Sequence, residues 1–235
     1  PSSMGNGIGG DNYVKTNRIS NITTLDISSF NITDVTGIED FIALESFICN
    51  NNAITMLDIS ENTALTNLVC NNNQLTALDI STNINLEVLQ ASQNGIGAID
   101  LEQNVALKEI YLQGTSLTSL NLDPCVVLEV LDVTYNSLQT LSIKNGNNAN
   151  ITQFNAAANP PLSCINVDDE TASYLTSIPW RKDAETIFSE HCGETYVPDA
   201  IFEEYLETHN ASGGIVPLND PSSMGNGIEG DQYVL

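Results

Sequence analysis

Apolar residues recurring every 21 positions constrain this chain more than anything else in it. Leu44, Leu65, Leu86, Leu107 and Leu128 share one frame, and Ile22 and Ile151 extend it with steps of 22 and 23 residues. Leu44-Glu45-Ser46-Phe47-Ile48-Cys49 is followed by Asn52 and Ile54, and Leu65-Thr66-Asn67-Leu68-Val69-Cys70 by Asn73 and Leu75. Five coils in strict register are beyond chance periodicity. One coil cannot bury its own leucines, so neighbours must stack, about 4.8 Å apart along the strand-pairing direction.

A second motif is nested in each coil. Ile54 to Ser60 reads I-T-M-L-D-I-S and Leu75 to Ser81 reads L-T-A-L-D-I-S; Ile96 to Leu101, Leu117 to Leu122 and Leu138 to Ile143 share the shape. Both halves of the coil alternate apolar and polar residues, which is strand periodicity, and no helical period fits between them. The whole pattern, L-x-x-L-x-(L/C)-x-x-N-x-L, is that of a leucine-rich repeat running from Ile22 to Ile165. It resembles the 21-residue IRREKO-type repeats of secreted proteins from Bacteroidetes-like bacteria. The resemblance implies a mainly β solenoid of about seven coils, with short strands on the concave side and extended or short-strand segments on the convex side.

The recurring polar residues fit stacked coils. The chain holds 29 Asn, and Asn52, Asn73, Asn94, Asn136 and Asn159 take one position in successive coils. An amide inside a turn can satisfy backbone groups that no sheet ladder reaches. Phe30 and Thr115 replace it in two coils and interrupt that ladder. Cys49 and Cys70 take one inward position on adjacent coils. They read as buried thiols acting as small hydrophobes, with a disulfide or a metal as the alternatives.

Charge narrows the choice of partner. There are 30 acidic residues against 6 basic, a net charge of −24, and the six cations are scattered. Nucleic acid is excluded as a partner, because binding phosphates needs clustered cations. No run of 18 apolar residues exists to span a membrane. No leader is visible, although the chain begins inside a motif.

The two ends carry further information. Lys144 to Asn150 lengthens the last coil, and the repeat stops after Ile165. In the secreted proteins that the array resembles, a Cys pair placed like Cys164 and Cys192 staples a C-terminal cap; a loop of that size contributes roughly 3 kcal/mol when closed. The residues alone leave open a reactive Cys192 beside His191. Val197 to Leu206 reads as a short amphipathic helix with Asp199 as N-cap and Ile201, Phe202, Tyr205 and Leu206 as its apolar face. In the same proteins such a V-P-D-x-x-F-E-x-Y-L segment opens an N-terminal cap. Residues 1–14, PSSMGNGIGGDNYV, match residues 221–234, PSSMGNGIEGDQYV, at twelve of fourteen positions with an offset of 220. The chain therefore reads as one period of a tandem array: residues 1–21 end an N-terminal cap, 22–165 form the solenoid, 166–194 its C-terminal cap, and 195–235 begin the next unit's N-terminal cap.

Chemistry is sparse. There is no C-x-x-C or H-x-x-x-H, and His191 and His209 lie outside the array, so zinc is not expected. Calcium is the one cation left open, at Asp11, Asp220 and Asp231 in Gly/Asn-rich loops; no cofactor is otherwise expected. No nucleophile elbow accompanies either histidine, and the chain is not expected to be an enzyme. Asp58, Asp79 and Asp100 recur at one convex position, where neighbouring like charges should raise one another's pKa. On the concave strands the outward column Asp26, Ile48, Val69, Gln90, Tyr111, Asp132 and Asn155 mixes apolar, aromatic and amide groups, which suits a protein or glycan ligand. The expectation is a structural and adhesive module of a secreted or surface-displayed protein. It is built from tandem units of about 220 residues that join neighbouring copies head to tail into an extracellular fibre. The alternative is a ligand-recognition domain working through the concave face.

Overall fold

A computed structural model of the chain describes residues 15–177, 179–196, 200–217, 221–225 and 233–234. The chain divides into two compact units, Pro1–Phe188 and Ser189–Leu235.

In the first unit the helix α1 (Thr16–Ile19) precedes β1 (Thr24–Asp26), β2 (Ser46–Ile48), β3 (Asn67–Val69), β4 (Val88–Gln90) and β5 (Glu109–Tyr111). Then come β6 (Ser119–Asn121), β7 (Val130–Asp132), β8 (Thr140–Ser142), β9 (Gln153–Asn155), β10 (Cys164–Asn166), β11 (Trp180–Arg181) and β12 (Ile187–Ser189), whose last residue falls in the second unit. Strands β1, β2, β3, β4, β5, β7, β9 and β11 form one parallel sheet in that order, and β6, β8, β10 and β12 a second. This is a mainly β solenoid of about eight turns. The eighth strand of the first sheet, β11, comes from the segment that follows the repeats, and Trp180 pairs with Phe154 across from it.

The register is that of the repeat. Phe47 lies opposite Leu68, Leu68 opposite Leu89, Leu89 opposite Ile110 and Ile110 opposite Leu131. These central residues are fully buried, as are the frame leucines Leu44, Leu65, Leu86, Leu107 and Leu128. Cys49 and Cys70 are buried free thiols, and desolvation pushes the Cys49 thiol up to about 12.

The asparagine ladder forms as the repeat requires. Asn73 Nδ2 donates to the carbonyls of Cys70 (3.1 Å) and, one coil back, Cys49 (3.0 Å), while its Oδ1 accepts from Ile54 N (3.1 Å). Asn94 and Asn136 repeat the arrangement. Thr115 fills its gap by donating to Leu112 O, or through 2.6 Å to Asn136 Oδ1. The residue before each ladder position is left-handed: Asn51, Asn72, Gln93, Gly114, Tyr135 and Ala158 all have φ between 54° and 60°. Gly and Asn tolerate this region best. At Gly114 the amide end of the exposed Gln93 side chain occupies the space a Cβ would take.

A second ladder runs on the other side of the core. Asn62, Asn83 and Asn104 are each 0% exposed. Asn83 Nδ2 bonds Ile59 O and Asn62 O, and Asn104 Nδ2 bonds Ile80 O and Asn83 O. Buried Cys125 stands at the next 21-residue step.

The C-terminal cap closes the core with aromatic rings and one carboxylate. Trp180 stacks on Phe154 at 4.5 Å and meets Phe188 edge-on at 5.6 Å. Asp183 accepts from Ala158 N and Asn159 N, both at 2.8 Å, where a further ladder amide would otherwise be needed. Cys164 and Cys192 are disulfide-bonded, so Cys192 is no free nucleophile; His191 Nδ1 lies 2.7 Å from Glu194 instead.

The second unit holds β13 (Thr195–Tyr196), α2 (Ala200–Glu207) and β14 (Tyr233–Val234), with β13 and β14 antiparallel. The helix forms where the sequence places it, but its buried face differs. Phe202 and Tyr205 are 54% and 45% exposed, while Glu203 and Glu207, four residues apart, are each 1% exposed. Leu206 is half-buried, and nothing is described of the Ile201 side chain. An eight-residue helix shows too few turns for its apolar stripe to fix which side is covered.

Candidate interaction surface

In β2, β3, β4, β5 and β7 the second residue is buried and the first and third are half-buried, because side chains alternate across a strand. Register then turns those positions into columns. Asp26 lies opposite Ile48, Ile48 opposite Val69, Val69 opposite Gln90, Gln90 opposite Tyr111, Tyr111 opposite Asp132, and Asp132 opposite Asn155. The structure thus brings every concave candidate into one line. All are half-buried except Asp26, which is exposed.

A parallel column of Ser46, Asn67, Val88, Glu109 and Val130 runs beside it. Amides are tied across coils: Asn67 Nδ2 donates to Ser46 Oγ (2.9 Å) and Asn71 Nδ2 to Gln90 Oε1 (3.2 Å). Tyr111 donates its hydroxyl to Glu109 Oε2 at 3.2 Å, and burial followed by the Glu109 charge raises its pKa. The residues just before the strands edge the face with Glu45, Glu87 and Glu129; Lys108 stands among them, 2.7 Å from Glu87. At the cap end, Thr152, Gln153, Asn155, Pro179 and Arg181 line a shallow depression of about 380 Å³. The surface is an apolar and amide stripe with an acidic border, held by a rigid sheet.

The convex aspartates behave differently from expectation. The hydroxyl and backbone N–H of Ser60 hold the Asp58 carboxyl below its ordinary pKa, and the charge of Asp79 is the smallest influence on it. Ser81 does the same for Asp79, through its N–H first. Each carboxylate curls back onto its own turn, so local hydrogen bonds outweigh repulsion along the column.

The calcium candidates Asp11, Asp220 and Asp231 lie outside the described residues, as do the first copy of the duplicated segment and Asp199. Among the described residues no three His, Cys, Asp or Glu side chains converge as a metal site, and no helix is long and apolar enough to cross a membrane. The residues that sequence reasoning missed are Asn62, Asn83 and Asn104; their 21-residue recurrence was the available signal.

No protein-family model matches the chain, and no curated protein does. Solved structures do. An internalin C2 from Listeria monocytogenes is 19% identical with a TM-score of 0.52, over 75% of this chain and 77% of that one. The fold is a leucine-rich-repeat solenoid. An internalin (inlF) from the same organism is 20% identical with a TM-score of 0.47, over 58% of this chain and 41% of its own. The functional domain of InlJ, also from Listeria monocytogenes and described as including a cysteine ladder, is 20% identical with a TM-score of 0.31, over 75% of this chain and 55% of its own. The chain therefore spans about half the length of these last two. Bacterial internalins are among the structural neighbours of this leucine-rich-repeat solenoid.

Proposed function

We propose that the chain is a non-enzymatic adhesive module of a secreted or surface-displayed bacterial protein, and that its concave face holds a protein ligand. The observation that carries this reading is the unbroken column from Ile48 to Asn155, half-buried and in register across six strands. Its acidic border favours a ligand surface with basic residues around an apolar centre. Internalin-like neighbours support the extracellular setting, and the 21-residue period supports the IRREKO-type assignment.

The test is ligand capture from a panel of purified extracellular proteins, in low and high salt. A ligand bound by the native chain should be lost by Tyr111→Ala, with an unchanged melting temperature, and should weaken as salt rises. Capture that survives both Tyr111→Ala and Ile48→Asp sinks the concave-face reading.

The duplicated segment favours a second element of the same reading: tandem units of about 220 residues joined head to tail, assembling into an extracellular fibre. Electron microscopy of native material should show fibres whose period is one unit. Their loss after chelation would put calcium in the end loops, and dispersed particles would remove the fibre.

A further inference from the structure

The second unit is a cradle around a segment whose sequence occurs twice in the chain. The backbone of Met224 donates to Leu206 O (3.1 Å) and His209 O (3.0 Å), at the end of α2. Ser223 bridges antiparallel to Asn210. Tyr233 pairs with Tyr196 and Val234 with Thr195. Gly225 is buried, and a Cβ there would stand 2.0 Å from the carboxyl of Glu207, which is itself 1% exposed. A larger residue there must push the buried Glu207 carboxyl aside.

Every one of these contact residues recurs, at an offset of 220, in residues 1–14. Ser3, Met4, Gly5, Tyr13 and Val14 stand for Ser223, Met224, Gly225, Tyr233 and Val234. The two differences, Gly9 for Glu229 and Asn12 for Gln232, fall on none of the contacts just named. Whatever makes the cradle accept one copy applies to the other, because the contacts just named are made through the backbone and at a glycine packed against the Glu207 carboxyl.

We propose that the cradle of β13, α2 and residues 208–216 accepts Ser3, Met4, Gly5, Tyr13 and Val14 of a second copy of this chain in place of its own Ser223, Met224, Gly225, Tyr233 and Val234. The inference rests on the head-to-tail reading above and names its joint. The exchange adds one strand to β13. It is heterologous, so each chain offers one segment and one cradle, and the contact propagates instead of closing on itself. Within one chain the resident segment has the advantage of a high effective concentration. The joint opens to a second copy when that segment is displaced or removed.

The experiment uses the full chain and two variants, with molar mass read by size-exclusion chromatography and light scattering. Gly225→Leu blocks the resident segment and spares Gly5; it should shift the chain from one copy to integer multiples. Adding Gly5→Leu should return it to one copy. A chain ending at Val216 is the second route: it should bind a labelled peptide of residues 1–14 saturably, and the Gly5→Leu peptide should not bind. Two results overturn the cradle: Gly225→Leu remaining a single copy with no peptide bound by the shortened chain, or multiples that persist in the double variant. The second of these leaves head-to-tail joining by another contact standing, and fibres of native material report on that separately.

Discussion

The convex side of the solenoid has two halves that share a repeat and differ in structure. In the coils bearing Asp58, Asp79 and Asp100 no convex strand forms among the described residues, while from Ser119 onward β6, β8, β10 and β12 pair as a sheet. The position held by the aspartates is held there by Asn121, Ser142 and Asn166. Burial follows the pairing: Leu57 and Leu78 are 8% and 6% exposed, against 4%, 2% and 0% for Leu120, Leu141 and Ile165. In the first half Met56, Ala77, Asp58 and Asp79 instead border an open depression of about 640 Å³. Alternation of apolar residues brings both halves to the verge of a ladder. The halves differ there in sequence by a charge repeated from coil to coil, and like charges across paired strands weigh against closing the ladder.

Truncating the paired half should do the most damage. Leu141→Ala is expected to cost about 3–4 kcal/mol and Leu78→Ala about 2 kcal/mol, because the tighter site collapses less readily; urea unfolding measures both, and equal costs would erase the contrast. The interior ladder runs through both halves, so Asn94→Ala and Asn136→Ala should each lose about 2 kcal/mol. Unequal values would show that the halves differ inside as well as outside. Writing the acidic column into the second half, with Asn121→Asp and Ser142→Asp together, should cost about 1 kcal/mol and speed amide exchange at residues 119–121 and 140–142. Unchanged exchange would acquit the charge.

Ser60→Ala should have the smallest effect, and its pH dependence has a definite sign. The Ser60 hydrogen bonds lower the folded-state pKa of Asp58, so the stability they contribute is complete above the ordinary carboxylate range. It is lost as pH falls through the lowered value. The deficit of the variant should therefore be present near neutral pH and vanish in acid. A deficit that grows on acidification contradicts the assignment.

The solenoid and its concave columns were legible because leucine spacing and period-2 alternation are set by packing that every coil repeats. Other features follow from contacts with no period. The eighth strand comes at Trp180, 27 residues after the start of β9, where aromatic stacking replaces the leucine frame. Asn62, Asn83 and Asn104 do keep the period, but they sit in turns between apolar segments, where an amide reads as a solvated loop; all three are fully buried. Cys125, which had no place in the frame of Cys49 and Cys70, belongs at the next step of that column. The covered side of α2 depended on what packs against it, and put Glu203 and Glu207 inside.

The ladder amides have a consequence for how such a chain can change in length. Asn73 and Asn94 bond only within their own coil and to the coil before it. A recombination event that copies or excises a whole 21-residue segment therefore regenerates each junction with the same partners. An insertion away from the turn can also be absorbed: the coil lengthened at Lys144 to Asn150 still has Asn159 bonded to Val133 O and Ala156 O beside left-handed Ala158. Growth by whole coils keeps every ladder junction and lengthens the concave face one strand at a time while the caps stay fixed.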